Sequence, residues 1–372
     1  RTQEGRVTQI NIAVIGAGHL GRIHTRLLAD QPAYNVVGVV DPVYEARQKV
    51  AQDLGVPAFS HIDQLEGRLD AAIVAAPTHL HHDISLPLLQ QRLHLFVEKP
   101  LASNVQEATA MVRAAQLSKR TLQVGHVERF NPAFTSVRES LHGPRYIEAV
   151  RSSGYTGRST DIGVVLDLMI HDLDLVLNLT RSQLIRIDAI GMPVIGPHED
   201  MAQARLQFAD GMVANLSASR TSYEAQRTMR VFTSTGFVSL DFTTPSATRV
   251  TASPELLNGN ISNEQHENIQ EALFQELLPV EEIKLEPTNA ILLEQHQFAR
   301  AIAHGKPVDV PGWQARNTIA VAEQILQKIA AHQQQVGPNR AADLSVLNAL
   351  AASRSLPVQD ATQEQPPRRK AG

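Results

Sequence analysis

The run Gly16-Ala17-Gly18-His19-Leu20-Gly21 follows directly on a β-rich stretch, Ile10 to Ile15, and opens into a helical pattern over Leu20 to Ala29. Few folds accept a strand, a glycine turn and a helix in that order. The first glycine permits the tight turn, the second lets the backbone approach a pyrophosphate, and the third lets the helix pack closely on its strand. The start of the helix then offers free N–H groups and a positive dipole end to an anion. The next apolar run, Val36 to Val40, ends in Asp41, twenty residues beyond Gly21. A carboxylate there accepts hydrogen bonds from both ribose hydroxyls of NAD and repels the 2′-phosphate of NADP. Pro42, Val43 and Tyr44 follow, with no adjacent arginine, so NAD is the expected cofactor. Gly16, Gly18, His19, Leu20, Gly21 and Asp41 are expected to line its site.

The alternation continues to about residue 125, with apolar runs at Ala71 to Ala75, His94 to Val97 and Thr121 to Val124 separated by helical patterns. Short apolar strands alternating with helices indicate a parallel sheet covered on both faces. Beyond it lie a strongly apolar helix, Val164 to Leu179, and β-rich stretches from Leu184 to Ala252 broken by Ala209-Asp210-Gly211 and Ser234-Thr235-Gly236. These read as hairpin connections in a mostly antiparallel, open sheet. Helical patterns return over Asn289 to His304 and Trp313 to Gln335. The expected fold class is α/β. A doubly wound parallel sheet of Rossmann type occupies 8–126, an α+β domain for substrate binding and oligomerisation occupies 127–335, and a charged, Pro-containing extension read as disordered occupies 336–372.

Composition narrows the partners. A net charge of -4 and the absence of a basic cluster argue against nucleic acid and an anionic membrane surface. The lack of cysteine excludes disulfides, thiolate metal sites and cysteine nucleophiles. No apolar run has the length of a membrane span, and Arg1 to Val7 lacks the apolar core of a signal peptide, so a cytoplasmic location is expected. His79, His81 and His82 cluster without a third ligand at metal-site spacing, and helical spacing points Asp172 and Asp174 away from the Asp167–His171 face, toward a structural or capping role, so no metal is expected.

Ala76-Pro77-Thr78 followed by His81, then Glu98-Lys99-Pro100, then Asp167-Leu168-Met169-Ile170-His171, together with the glycine loop, resemble the Gfo/Idh/MocA oxidoreductases over about residues 10 to 335. The resemblance implies oxidation of a secondary alcohol on a sugar-like substrate with NAD. It adds Pro77, Thr78, His81, Glu98 and Lys99 to the residues near the cofactor and implies a cis bond before Pro100. Within the family, Gly125 to Pro132 and Asp167 to Leu173 are similar to enzymes that oxidise UDP-N-acetylhexosamines at C3. UDP-N-acetylglucosamine is therefore the substrate implied, its 3-keto product serving a later amino transfer in lipid A synthesis. A free sugar or inositol dehydrogenase and an NAD-dependent glycosidase are the alternatives.

The residues themselves point to the same chemistry. Removing hydride from a carbinol carbon also requires a proton acceptor from the protein. Lys99 closes a parallel strand, where ligands bind in doubly wound sheets, and its ammonium can stabilise alkoxide character. Asp167 and His171 share a helix face at a spacing of four. His171 is suited by its intrinsic pKa to act as a base, and Asp167 to orient the imidazole or to bond a neighbouring hydroxyl. Either Lys99 or His171 takes the proton. Arg129, Asn131 and Arg158 are the candidate substrate contacts, the arginines for phosphate. The open second sheet is expected to bury its outer face against another copy of the chain.

Overall fold

The computed structural model describes residues 9–65, 69–155, 162–195 and 197–336. Arg158 and the extension beyond 336 lie outside them. The first sheet has six strands in the order β3-β2-β1-β4-β5-β6, every pair parallel. They are β1 (Ile10–Ile15), β2 (Tyr34–Val40), β3 (Ala58–Phe59), β4 (Ala71–Val74), β5 (His94–Glu98) and β6 (Leu122–Gly125). This is the Rossmann order, whose reversal beside β1 places ligands at the carboxyl ends of the strands. The helices α1 (His19–Ala29), α2 (Tyr44–Leu54), α3 (His81–Gln90) and α4 (Val105–Ser118) supply the crossovers. Ile12, Val14, Ile73, Val74, Leu95, Phe96 and Val97 are completely buried, as strands covered on both faces require.

After a short helix α5 (Pro132–Thr135), the second sheet takes eight strands in the order β14-β13-β12-β11-β7-β10-β9-β8. They are β7 (Tyr146–Ser152), β8 (Leu184–Met192), β9 (Met201–Phe208), β10 (Val213–Ser219), β11 (Gln226–Thr233), β12 (Gly236–Asp241), β13 (Ser246–Thr251) and β14 (Val280–Glu282). Only β7 and β10 run parallel; the other pairs are antiparallel. Burial alternates along β7, β9 and β10, so one face packs inward and the other is open. The inner face is covered by a π-helical turn, Val165–Met169, that runs on into α6 (Ile170–Leu179). An uninterrupted α-helix is the expectation there, and the structure corrects it. The wider turn sets Asp167 and His171 on either side of its end rather than stacking them one α-helical turn apart.

Three short helices, α7 (Pro254–Asn258), α8 (Asn263–Glu267) and α9 (Ile269–Ala272), precede β14 and are not foreshadowed by periodicity. Two long helices follow. α10 (Ala290–His304) packs Phe298 and Ala299 against the back of the first sheet. α11 (Gly312–Val336) buries Ala315 and Ile319 in the first core and Ala322, Ile325 and Ile329 in the second. Among the described residues, no helix is long and apolar enough to cross a membrane.

Buried ion pairs fasten α6 to what surrounds it. Arg151 on β7 donates to Asp172 at 2.8 Å and to Glu128 at 2.8 Å, with all three side chains at most 8% exposed. Arg129 forks onto Asp174 at 2.6 and 2.9 Å. Deleting one partner leaves uncompensated buried charge, which costs about 3–5 kcal/mol. Arg151→Ala should therefore lower the free energy of unfolding from urea titration by that margin, bringing the midpoint down with it, and an unchanged midpoint would show that Asp172 and Glu128 find other partners.

Candidate active site

Gly16 takes φ +105°, and a Cβ there would lie 2.5 Å from the carbonyl oxygen of Ala75, so only glycine makes this turn. Gly18 N-caps α1 without a side-chain bond, and a Cβ added to it would meet nothing within 4 Å. The helix start thus faces open space. At Gly21 a Cβ would fall 1.8 Å from the Gly16 oxygen, which is the close packing of helix on loop. His19 is exposed and Leu20 half-buried at the rim. Asp41, at the end of β2, accepts from the Ala17 amide at 2.7 Å and from the Val43 amide at 2.8 Å. Its carboxylate thereby stands against the glycine turn. An open amide cradle beside a strand-end carboxylate fits a dinucleotide diphosphate and its ribose. Arg47, which belongs to no motif, lies 5.0 Å above the ring of Tyr44 and donates to the main-chain carbonyls of Asp41 and Pro42.

β1 and β5 are separated in the sheet by β4 alone, so Lys99 stands about 10 Å along the same edge from the glycine turn. The Lys99–Pro100 peptide is cis. The Lys99 ammonium donates to the main-chain carbonyl of Asp167 at 2.9 Å and to its carboxylate at 3.3 Å. Two candidates 68 residues apart in sequence therefore meet. His171 is half-buried nearby, its Nδ1 without a hydrogen-bond partner, and its ring is edge-on to that of His126 at 6.4 Å. Asp167 accordingly engages Lys99 and makes no bond to His171 Nδ1. Burial, then the positive charge of Lys99, holds the His171 imidazole well below the usual histidine range. A neutral imidazole beside an ammonium can accept one proton while the ammonium donates to an oxygen.

Glu98 points back into the protein and bonds His24 Nε2 at 2.7 Å, while His24 Nδ1 faces the amide of Gln295 on α10 at 3.0 Å. Burial alone would raise the Glu98 carboxyl pKa. The His24 bond and the charges of His24 and Lys99 outweigh it, and the net shift is downward. His81 is buried between the carbonyls of Ala76 and Pro100, at 2.8 and 2.9 Å, and ties the exposed Pro77 and half-buried Thr78 to the turn after Lys99. Its pKa is lowered, by burial above all.

The expected substrate contacts are placed differently. Arg129 is 3% exposed, and besides Asp174 it donates to the carbonyl of Asp309, so its guanidinium is spent inside the protein rather than presented to a phosphate. Asn131 accepts from the Ala133 amide, capping α5, and donates to Glu128. Arg227, which motif reading left aside, is an exposed cation on β11 whose charge bears on His171 and Asp172. Among the described residues no cluster of His, Asp and Glu is disposed to hold a metal.

Comparison with known proteins agrees with this fold. The family model for oxidoreductases of the GFO/IDH/MocA type, NAD-binding Rossmann fold, matches residues 10–126, and the GFO/IDH/MocA C-terminal domain matches 125–239. The chain is 34% identical over 326 residues to the UDP-N-acetylglucosamine 3-dehydrogenase of Acidithiobacillus ferrooxidans, covering 87% of this chain and 98% of that protein. It is 28% identical over 233 residues to the scyllo-inositol 2-dehydrogenase (NAD(+)) of Bacillus subtilis, covering 58% and 68%. A solved structure of the Acidithiobacillus enzyme superposes with a TM-score of 0.78 at 32% identity, over 87% of this chain and 98% of that one. A levoglucosan dehydrogenase in complex with NADH shares the fold at 17% identity, with a TM-score of 0.75 over 87% of this chain and 97% of that one.

The His171 imidazole should stay neutral to a pH below the ordinary histidine range when followed by nitrogen-detected NMR. Lys99→Met should move its titration upward by removing the neighbouring charge; an unshifted midpoint would mean that the ammonium does not act on it.

Proposed function

Because the chain belongs to the Gfo/Idh/MocA family of NAD-dependent oxidoreductases, we propose that it oxidises a secondary hydroxyl of a sugar nucleotide, UDP-N-acetylglucosamine at C3. The observation that carries the chemistry is the convergence of Lys99, Asp167 and His171 at the strand edge that also bears the glycine turn. The substrate assignment is supported by likeness to the Acidithiobacillus enzyme across 98% of its length. NAD, when bound, supplies the hydride acceptor. Gly16, Gly18 and the first turn of α1 would hold its diphosphate and Asp41 its ribose, with Leu20, Pro77 and Thr78 at the rim.

Each polar group then has a task. Lys99 donates a hydrogen bond to the reacting oxygen and stabilises the negative charge that grows there. Asp167 holds the ammonium through carbonyl and carboxylate together, so its direction is set before substrate arrives. His171, neutral through burial, accepts the hydroxyl proton. Its proton affinity sets the sign of the pH dependence. A base must be unprotonated, so the rate falls only as pH drops through the lowered pKa, and the acid limb lies below the ordinary imidazole range. Arg227 is an exposed cation that could meet the substrate diphosphate, since Arg129 is committed to Asp174.

Purified protein should reduce NAD, and NADP far less, with UDP-N-acetylglucosamine in a panel of UDP-sugars, free sugars and inositols, followed by absorbance of the reduced cofactor. Lys99→Ala and His171→Ala should each lower kcat by about 10²–10⁴ with NAD affinity kept. Turnover of inositol or free sugar in preference to UDP-sugars would move the assignment to the alternative favoured by likeness to the Bacillus enzyme.

The open sheet face supports a homo-oligomer. Ile185, Ile190, Met192 and Val194, on or just beyond edge strand β8, are 37–62% exposed, and a second copy would cover them. Light scattering should give a multiple of the chain mass, and a single-chain mass would refute the dimer or higher assembly.

A further inference from the structure

We propose that Glu199, which no motif singles out, is a positioning residue that sets the start of the helix bearing Asp167 and His171; the inference rests on the reading of that site given above. Glu199 lies just before β9, in the connection from β8, far from Lys99 and His171 in sequence. Its main-chain carbonyl accepts from the Val164 amide at 3.0 Å, and its carboxylate from the Val165 amide at 3.2 Å. Those amides belong to the first turn, where a helix has no internal acceptors of its own. A carboxylate there also meets the positive end of the helix dipole. The cap is thus supplied from the β8–β9 connection, by a residue 34 positions away from the amide it serves.

The bracket around Glu199 is closed by hydrogen bonds on both sides. Asp200 accepts from the Val194 and Ile195 amides at 2.7 and 2.6 Å, which folds the connection back on itself. Arg220 donates to Asp200 at 2.6 Å and to the carbonyl of Ile162 at 2.9 Å, so one guanidinium holds both the connection and the chain entering the helix. Between them lies Gly163. A Cβ on it would fall 1.9 Å from the Glu199 carboxylate, which occupies the space a side chain would need. The Gly163 carbonyl in turn accepts from the Asp167 amide at 3.0 Å. A continuous path therefore runs from Glu199 through the first helical turn to Asp167, and from Asp167 to the Lys99 ammonium. Glu199 touches neither ammonium nor imidazole; it acts through the turn that carries them.

The path predicts a pattern that general loss of stability would not produce. Ala at 163 can be accommodated only if the Glu199 carboxylate leaves its place, so Gly163→Ala and removal of the carboxylate break the same cap. Four full-length variants test this: Glu199→Ala, Glu199→Gln, Gly163→Ala and the double Gly163→Ala/Glu199→Ala. In Glu199→Ala, hydrogen exchange of the amides from Val164 to Asp167 should quicken, and kcat with UDP-N-acetylglucosamine should fall roughly tenfold to a hundredfold, as misplaced catalytic groups do. NAD affinity should stay unchanged. Glu199→Gln, which keeps an acceptor oxygen of the same reach, should restore both exchange and kcat to near the parent values. Gly163→Ala should lower kcat in the parent background and add nothing in the Glu199→Ala background. Unchanged exchange in Glu199→Ala, or a Gly163→Ala penalty of equal size in both backgrounds, would overturn the proposal. If the parent protein turns over no UDP-sugar, the substrate reading fails by itself, and the exchange and NAD-affinity measurements still decide the role of Glu199.

Discussion

An ammonium held by two oxygens of one residue joins the halves of this molecule. Lys99 ends a strand of the parallel sheet, and Asp167 begins a helix that lies on the other sheet. The contact requires both to be placed within a few tenths of an ångström, and neither element can do that alone. On the lysine side, Glu98 is anchored by His24, and His24 by Gln295 from the far end of the chain. Gln295 meets one ring nitrogen of His24 and the Glu98 carboxylate meets the other, so the imidazole is held at both ends and aligns the strand end. On the helix side, Arg151 and Arg129 fix the residues immediately after His171.

The buried ions here are better understood as geometry than as stability. A desolvated pair seldom outperforms apolar packing of the same volume, but it tolerates little displacement. Arg151, Asp172 and Glu128 bind β7, α6 and the segment after β6 at a single point, and Arg129 and Asp174 add a second. Glu294 shows the cost of carboxyl burial without a cation. Its pKa is driven well above the carboxylate range, first by burial and then by the charges of Glu98 and Glu128, and its Oε1 has no partner. A carboxyl so placed gives up its proton far less readily than one at the surface, because neither water nor a cation is at hand to take up the charge.

What could be read in advance divides by distance along the chain. The glycine turn, Asp41 and Lys99 announce themselves because a turn or a strand end is a local property; Asp167 and His171 are picked out by their helix, although the spacing expected of them is not the one found. Most strands of both sheets are legible for the same reason, down to the hairpin at Ala209-Asp210-Gly211, where Gly211 takes φ +88°, while the two- and three-residue edge strands β3 and β14 are too short to show a pattern. Partners are not legible. His24 meets Glu98 across 74 residues, and Gln295 reaches His24 across 271. An arginine after a strand looks like a surface cation until its acid arrives from 45 residues on, and this is how Arg129 came to be expected at a phosphate. The π-helical turn at Val165–Met169 is invisible for another reason. It uses the same apolar residues as an α-helix and differs only in how many are spent per turn.

The helix α11 has a mechanical meaning. It spans about 37 Å at the usual rise, with Ile319 sunk in one core and Ile325 in the other. Hinge motion between the two sheets would have to bend an unbroken helix or draw one of those isoleucines into water. The helix therefore acts as a splint, and any opening around the Lys99 edge has to be made by the shorter connections rather than by the halves swinging apart.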